Sequence, residues 1–424
     1  MAGVAVLKFG GTSLADLQRI CRAASIVVER RRAGHQVVVV VSARARLTDD
    51  FIQEAKSLAP QPSPREMDML LTSGERISAA LLSIAINAAG ITAVSLTGSQ
   101  AGIITDDNHT NARIIEIRPY RVVRALGQGS VVVVGGFQGV SFKKEITTLG
   151  RGGSDVSASA LASALDASLC EIFTDVDGVY AANPHLVPNP KRLERLSYQE
   201  MQEMAEAGAK VLHPKSVEFA KIKRTPLRVR SVMAPDGSGT LIKNLEGRIR
   251  PRVVGVVSEE KVILLTLWEA AGSGLGRLRR MIDLLEESGV KTKQFSFHLD
   301  SNRRMVGSLV LPERENYQID SVVARLSRDF SANTHLCKEF SAVSLIGAGI
   351  TDRYQYLQET LEILRRQGVT VGSLHTSSFR ISLLVESSRL GEVVGRLYDH
   401  FVTAPERGAG GVPSSGGRTG HGNC

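Results

Sequence analysis

Cysteine is scarce in this chain, and its four copies (Cys21, Cys170, Cys337 and Cys424) are widely scattered. No Cys-x-x-Cys pair or Cys/His cluster occurs, so no zinc-site spacing is present and a disulfide framework is not expected. Long apolar runs are missing as well. Val37–Val41 is far shorter than a membrane span, and Lys8 interrupts the apolar start at Met1–Gly11, which is too short for a signal peptide. A cytoplasmic protein without a membrane partner is expected. No G-x-x-x-x-G-K-[ST] phosphate loop occurs anywhere. The formal net charge is +9, yet the basic residues are dispersed. Clusters such as Glu29–Arg32 and Arg277–Arg280 fall on amphipathic helical stretches, where a solvated face accounts for them. With no recognition motif beside the charge, nucleic acid is not an expected partner; anionic small molecules such as nucleotides suit the bias at least as well.

What is present is ordinary globular material, 424 residues with 43% hydrophobic content, enough for two or three domains with large cores. Short β-branched runs at Val4–Phe9, Val37–Ser42, Thr92–Leu96, Val131–Val134 and Leu169–Phe173 are mostly apolar throughout. Strands of that kind belong in a sheet covered on both faces. Helical spacing at Leu14–Arg32, Arg65–Ala89 and Ser154–Leu165 alternates with them, which predicts a three-layer α/β domain over residues 1–245 with a last strand at Leu227–Val232.

Residues 246–403 contain an internal repeat. Placing Gly289-Val290 on Gly368-Val369 brings Leu278, Ile282, Leu284 and Leu285 onto Leu357, Leu361, Ile363 and Leu364. In each copy a strand (Val262–Leu267; Val343–Ile346) precedes the helix, and strands and a further helix follow. The pattern predicts two ferredoxin-like α+β units; two generic α+β units without a ligand fit it equally. Residues 404–424, rich in Gly, Ser and Arg, predict a disordered tail.

Four segments carry candidate chemistry. Lys8-Phe9-Gly10-Gly11-Thr12-Ser13 follows the first strand. Paired glycines let backbone N–H groups approach a phosphate, and Lys8 supplies a point charge. On its own the segment is equally a plain strand-to-helix turn. Thr147–Asp155 places three glycines, Arg151 and the helix-capping pair Ser154-Asp155 close together. Arg151 suits a carboxylate and Asp155 an ammonium group; the alternative is a capping aspartate beside a solvated arginine. Thr174-Asp175-Val176-Asp177-Gly178-Val179-Tyr180 ends a buried strand, where open α/β sheets bind ligands, though Asp177-Gly178 is also a common turn. Gly208–Lys215 offers Lys210, a second lysine within reach of a polyphosphate or simply a surface charge.

Taken together, these segments resemble the aspartokinases of the amino-acid kinase family over nearly all of residues 4–243. Ser73-Gly74-Glu75-Arg76, Thr97–Gly102, His109–Arg113, Gly135–Gly139 and Val187-Pro188 join the match in order. The repeat behind them looks like the paired ACT domains of that family. The resemblance implies ATP-dependent phosphorylation of the β-carboxylate of L-aspartate, with Mg²⁺, no protein metal-ligand set, and a homodimer or higher homo-oligomer through the ACT-like region. It implies catalytic roles for Lys8, Arg151 and Asp155; nucleotide contacts from Lys8, Gly10, Gly11, Thr174, Asp175, Tyr180 and Lys210; and aspartate contacts from Ser42, Thr48, Glu75, Arg151 and Asp155.

The chain departs from the family in three places. Arg44 and Arg46 stand in a turn that is usually small and glycine-containing. Asn183-Pro184-His185 replaces an acidic residue, proline and arginine. In the ACT-like units the expected Asp and Pro-Gly give way to Glu269–Gly274 and Thr351–Tyr354, with Phe297 and His298 where an amide side chain is usual. Weakened feedback control by lysine and threonine, suiting a specialised pathway, is the expectation. Alternatives to an active aspartokinase are a glutamate or N-acetylglutamate kinase and a catalytically silent regulatory paralogue.

Overall fold

All five valines from Val37 to Val41 are fully buried, which a strand allows only when both faces of its sheet are covered. A computed structural model describes residues 3–245, 251–269, 275–301, 304–316, 319–330 and 333–403. In it, Gln36–Val41 lies inside an eight-stranded sheet. The strand order is Arg195–Leu196, Thr240–Ile242, Leu227–Ser231, Leu169–Thr174, Val4–Phe9, Gln36–Val41, Val131–Gly135 and Ala93–Leu96. Every neighbouring pair is parallel except Leu227–Ser231 with Thr240–Ile242. Side-chain alternation sorts the strands into two apolar faces. Val6, Val38, Val40 and Ile172 pack with Ala158 and Leu161 of the helix Gly153–Ala164. Leu7, Val39 and Val41 pack with Val27 of the helix Leu17–Arg32 and with Leu82 and Ile86 of the helix Pro64–Ala88. The three-layer α/β architecture follows.

Pro64–Ala88 is long and apolar enough to cross a membrane by length and composition, but half of its most apolar stretch is buried against this core. Helix Leu17–Arg32 begins later than the apolar spacing indicates. Asp16 caps it by accepting from the Arg19 N–H at 2.8 Å, and Gly11–Leu14 forms a separate 3₁₀ turn. Thr240–Ile242 adds a strand after Leu227–Ser231. Sequence periodicity also gave no sign of the helix Leu47–Leu58 or of a small sheet ordered Ile114–Ile117, Ile103–Thr105, Gln138–Ser141, Ile146–Thr148.

The second half forms a six-stranded antiparallel sheet ordered Gln294–Leu299, Met305–Pro312, Gly255–Glu269, Asn333–Ile346, Arg380–Glu386, Val371–Ser377. Its two ferredoxin-like units are interlocked rather than consecutive. In the central pair, Gly255–Glu259 lies on Ala342–Ile346 and Leu264–Trp268 on Asn333–Cys337, with register shifts between. Each long strand therefore serves one unit with one half and the other unit with the rest. Separate cores form around Met281, Leu285 and Leu326 in one unit and around Leu364, Val393 and Leu397 in the other. Ala181, Ala182 and Val187 of the first half join the second of these cores, and the Val256 N–H donates to the Ala181 carbonyl at 2.7 Å. The segment 404–424 and most of 269–274 lie outside the described residues.

Candidate active site

Because the central strands run parallel, their carboxyl ends share one edge, and chain order reverses there on either side of Val4–Phe9. Open α/β sheets bind ligands at such a point. Lys8 shares the face of Val6, the face covered by Gly153–Ala164. Its ammonium meets the first turn of that helix, with Nζ 2.6 Å from Asp155 Oδ1 and both residues only 9% exposed. The helix is capped by Gly152 in the left-handed region (φ 74°), and no side chain caps it. Asp155 is thus not a cap: it is the counter-ion of Lys8, and Ser154 packs beside Gly136, where an added Cβ would lie 3.0 Å from the serine Cβ.

The Gly10-Gly11 turn is held tightly. The Gly10 N–H donates to the Phe173 carbonyl at 3.2 Å, and the rings of Phe9 and Phe173 stack with centroids 4.9 Å apart. A Cβ on Gly11 would fall 2.6 Å from the Ala43 carbonyl oxygen, so any other residue there would push the second loop away. That loop, Ser42–Arg46, runs along the first and leads into the helix that carries Thr48: Ser42 N–H donates to Phe9 and Ala45 N–H to Gly11. Arg44 donates from Nε to the Leu14 carbonyl at 3.3 Å and from Nη2 to the Ala15 carbonyl at 3.0 Å. The departure at Arg44 therefore latches two site loops together. Ala45 takes φ 41°, a left-handed conformation for which glycine is better suited. Arg46 is exposed.

Glu75, on the helix Pro64–Ala88, reaches the same edge. Its Oε1 accepts from the Ala43 N–H at 3.0 Å, while Oε2 is buried with no hydrogen-bond partner among the described residues. Burial pushes the carboxyl up to about 7, partly offset by the Ala43 N–H. Gly135 and Gly136 close this corner, with Glu75 and Ser154 against them.

Arg151 is exposed on the turn leading into the helix that carries Asp155. Gly152 in that turn abuts His213, where a Cβ would come within 2.7 Å of the ring. The loop carrying exposed Lys210 is thereby brought against the Arg151 turn. At the end of Leu169–Thr174, Thr174 Oγ1 donates to Asp175 at 2.9 Å. Tyr180 donates to Asp177 at 2.6 Å, and Arg192 pairs with the other Asp177 oxygen at 2.7 Å. The Tyr180 hydrogen bond, aided by Arg192, holds Asp177 below its ordinary range; the same bond, with burial, raises the phenol, against the opposing charge of Arg192. The turn after it is rebuilt around Asn183, whose side chain accepts from the His185 N–H at 3.0 Å.

One residue escaped the sequence reading. Asp68 is fully buried and accepts from Thr148 Oγ1 at 2.6 Å, from the Thr110 N–H at 3.0 Å and from His109 Nδ1 at 2.7 Å. It ties the His109–Asn111 turn to the approach of the Gly150–Gly153 loop. The available signal was a lone acid in the apolar run Met67-Asp68-Met69-Leu70-Leu71.

A family model, that of the amino acid kinase family, matches residues 3–231. The aspartokinase of Mycolicibacterium smegmatis is 40% identical over 403 residues, covering 93% of this chain and 95% of that protein. That of Corynebacterium glutamicum is 39% identical over 404 residues, with the same shares. Escherichia coli aspartokinase III, solved in complex with aspartate and ADP, superposes with a TM-score of 0.79 at 25% identity, covering 93% of this chain and 99% of that one. Full-length similarity at this level, on a sheet edge that gathers Lys8, Glu75 and Asp155, places the chain in the amino acid kinase family, among the aspartokinases.

Proposed function

We propose that this aspartokinase transfers the γ-phosphoryl group of ATP to the β-carboxylate of L-aspartate, giving 4-phospho-L-aspartate, at the edge occupied by Lys8, Glu75 and Asp155. The observation that carries the assignment is the buried Lys8–Asp155 pair at the carboxyl ends of the parallel strands, in a chain of this family. A carboxylate oxygen of aspartate attacks the γ-phosphorus, an O–P bond forms, and the bond to the β–γ bridging oxygen breaks to release ADP. The nucleophile is already ionised at neutral pH, so no general base is required. The protein's task is positioning and charge compensation.

In this reading Lys8 and the Gly10 and Gly11 amides face the phosphates, with Thr174, Asp175, Tyr180 and Lys210 along the nucleotide. Arg151 clamps the substrate α-carboxylate, and Ser42, Thr48 and Glu75 hold its other polar groups. Asp155 orients the Lys8 ammonium in addition to accepting from substrate. Mg²⁺ neutralises phosphate charge when bound. The ion would be held chiefly by the nucleotide's own phosphates.

The enzyme would work in the cytoplasm as a homodimer or higher homo-oligomer. The outer strands Gln294–Leu299 and Val371–Ser377 leave sheet edges to be paired, and Phe295 and Leu299 are exposed on the first. ADP release should saturate with L-aspartate and stay at background with L-glutamate and N-acetyl-L-glutamate. Release with either of the latter instead, or with none of the three, would overturn the assignment.

A further inference from the structure

Behind the Arg151 turn lies a cleft of about 220 Å³ that no step of the proposed reaction uses. Its floor is the buried cluster Ala112, Leu149 and Val156, with Ile114 and Phe219 packed against it. Its rim is polar: exposed Arg113 on one side, and exposed Lys215 and Glu218 on the helix Pro214–Lys223 on the other. An apolar cavity of about 150 Å³ holds a benzene ring, so this one takes a body the size of a leucine or phenylalanine side chain. Charge selects the head group. Partial burial of its ammonium, and then the charges of Arg113 and Lys291, depress the Lys215 pKa; Glu218 and Asp106 offset them only in part. Gathered cations above an apolar floor favour an anion with an apolar body.

We propose that this cleft binds a small carboxylic acid with a branched or aromatic apolar body, carboxylate towards Arg113 and Lys215 and body on Leu149 and Val156. Those two floor residues bracket the turn of Gly150 and Gly152, both at φ 74°. A bound ligand would therefore bias the turn that carries Arg151 and the start of the helix that carries Asp155, and that regulatory consequence rests on the function proposed above. Binding itself does not, and calorimetry on the full chain reads it directly. The probes are 4-methylpentanoate, L-leucine, 4-methylpentan-1-ol (body without charge) and acetate (charge without body).

Saturable binding of 4-methylpentanoate is expected, with the alcohol and acetate weaker by roughly tenfold or more. L-leucine binding as well as 4-methylpentanoate identifies an amino acid as the source; much weaker leucine binding identifies a plain or 2-oxo acid. Lys215→Met, an exposed change that leaves the fold intact, should weaken the acid roughly tenfold. Val156→Phe, which fills the floor, should abolish binding. The proposal is overturned if neither acid binds, if the alcohol binds equally well, if Lys215→Met binds like wild type, or if saturating L-aspartate displaces the acid competitively. Should the chain release no ADP with aspartate, the titrations still decide the site.

Discussion

Glu75 makes the reading of the substrate corner quantitative. Its carboxyl is buried, accepts one backbone N–H, and titrates at about 7 instead of 4.5. Between those values the folded chain binds a proton that the unfolded chain has released, so stability falls as pH rises through this window. The rise from 4.5 to about 7 corresponds to ~3 kcal/mol of destabilisation, nearly complete by about pH 8. Glu75→Gln keeps the acceptor for Ala43 and removes the ionisation. The ligand-free variant should therefore be more stable than wild type by ~3 kcal/mol near pH 8 and by ~2 kcal/mol near pH 6. Aspartate should reverse the sign if, as proposed above, its ammonium gives the ionised carboxylate the partner that Oε2 lacks. The wild-type KM for aspartate should then drop about tenfold from pH 6 to 8, following the ionised fraction. In Glu75→Gln it should be high and flat. Denaturant melts of the two proteins at both pH values, paired with initial rates across the same range, test both halves. A flat wild-type KM would refute the contact with the substrate ammonium, and equal pH dependence of stability in the two proteins would refute the buried ionisation.

Three further outcomes follow from neighbouring contacts. Asp155→Asn strips a buried lysine of its counter-ion, which typically costs ~3–5 kcal/mol; ATP supplies replacement anions, so the variant should gain more thermal stability from nucleotide than wild type does, and an equal gain would disprove that Lys8 faces phosphate. Arg44→Ala removes both donors that latch the Ser42–Arg46 loop to Leu14 and Ala15, raising the KM for aspartate roughly tenfold, while Arg46→Ala changes it little. Equal effects of the two variants, measured by steady-state rates, would count against the latch. Millimolar lysine plus threonine should leave most of the activity in place, and strong inhibition in the ADP-release assay would show that effector recognition survives the departures at Phe297, His298 and Thr351–Tyr354.

The central strands were legible because burial on both faces leaves an unbroken apolar run, and Val37–Val41 admits no other reading. The small sheet was not, since strands of three or four residues such as Ile103–Thr105 carry no measurable period. The repeat disclosed two regulatory units, but not that Gly255–Glu269 and Asn333–Ile346 are each shared between them; long-range pairing leaves no local trace. At the site, motif residues marked the loops, whereas partners lay far apart in sequence. The Lys8–Asp155 pair spans the sheet and the helix above it, and local grammar suggested a helix cap for Asp155. In the sequence, the arginine at 44 is only a departure from a small, glycine-containing turn. Only the carbonyls of Leu14 and Ala15, presented by the neighbouring turn, turn it into a fastening.

The sharing of strands bears on how the two halves of the molecule communicate. Both regulatory units grip one helix, Tyr198–Glu206. From the first unit, Lys293 donates to the Glu206 carbonyl at 2.8 Å and pairs with Glu259. From the second, Ser377 donates to Glu203 at 2.9 Å, and Arg380 stands 3.4 Å from the same carboxylate. Immediately beyond the helix, Gly208 takes φ 118° against the Ser258 carbonyl, and the chain continues through Lys210 to His213 at the Gly152 turn. Coupling needs a contiguous set of elements with more than one arrangement. Here the set runs from a sheet common to both units, through one charged helix, to the loop that carries Lys210. These contacts to Tyr198–Glu206 do not involve Phe297 or His298, so substitutions at those two positions leave the tie between the sheet and the Lys210 loop unchanged.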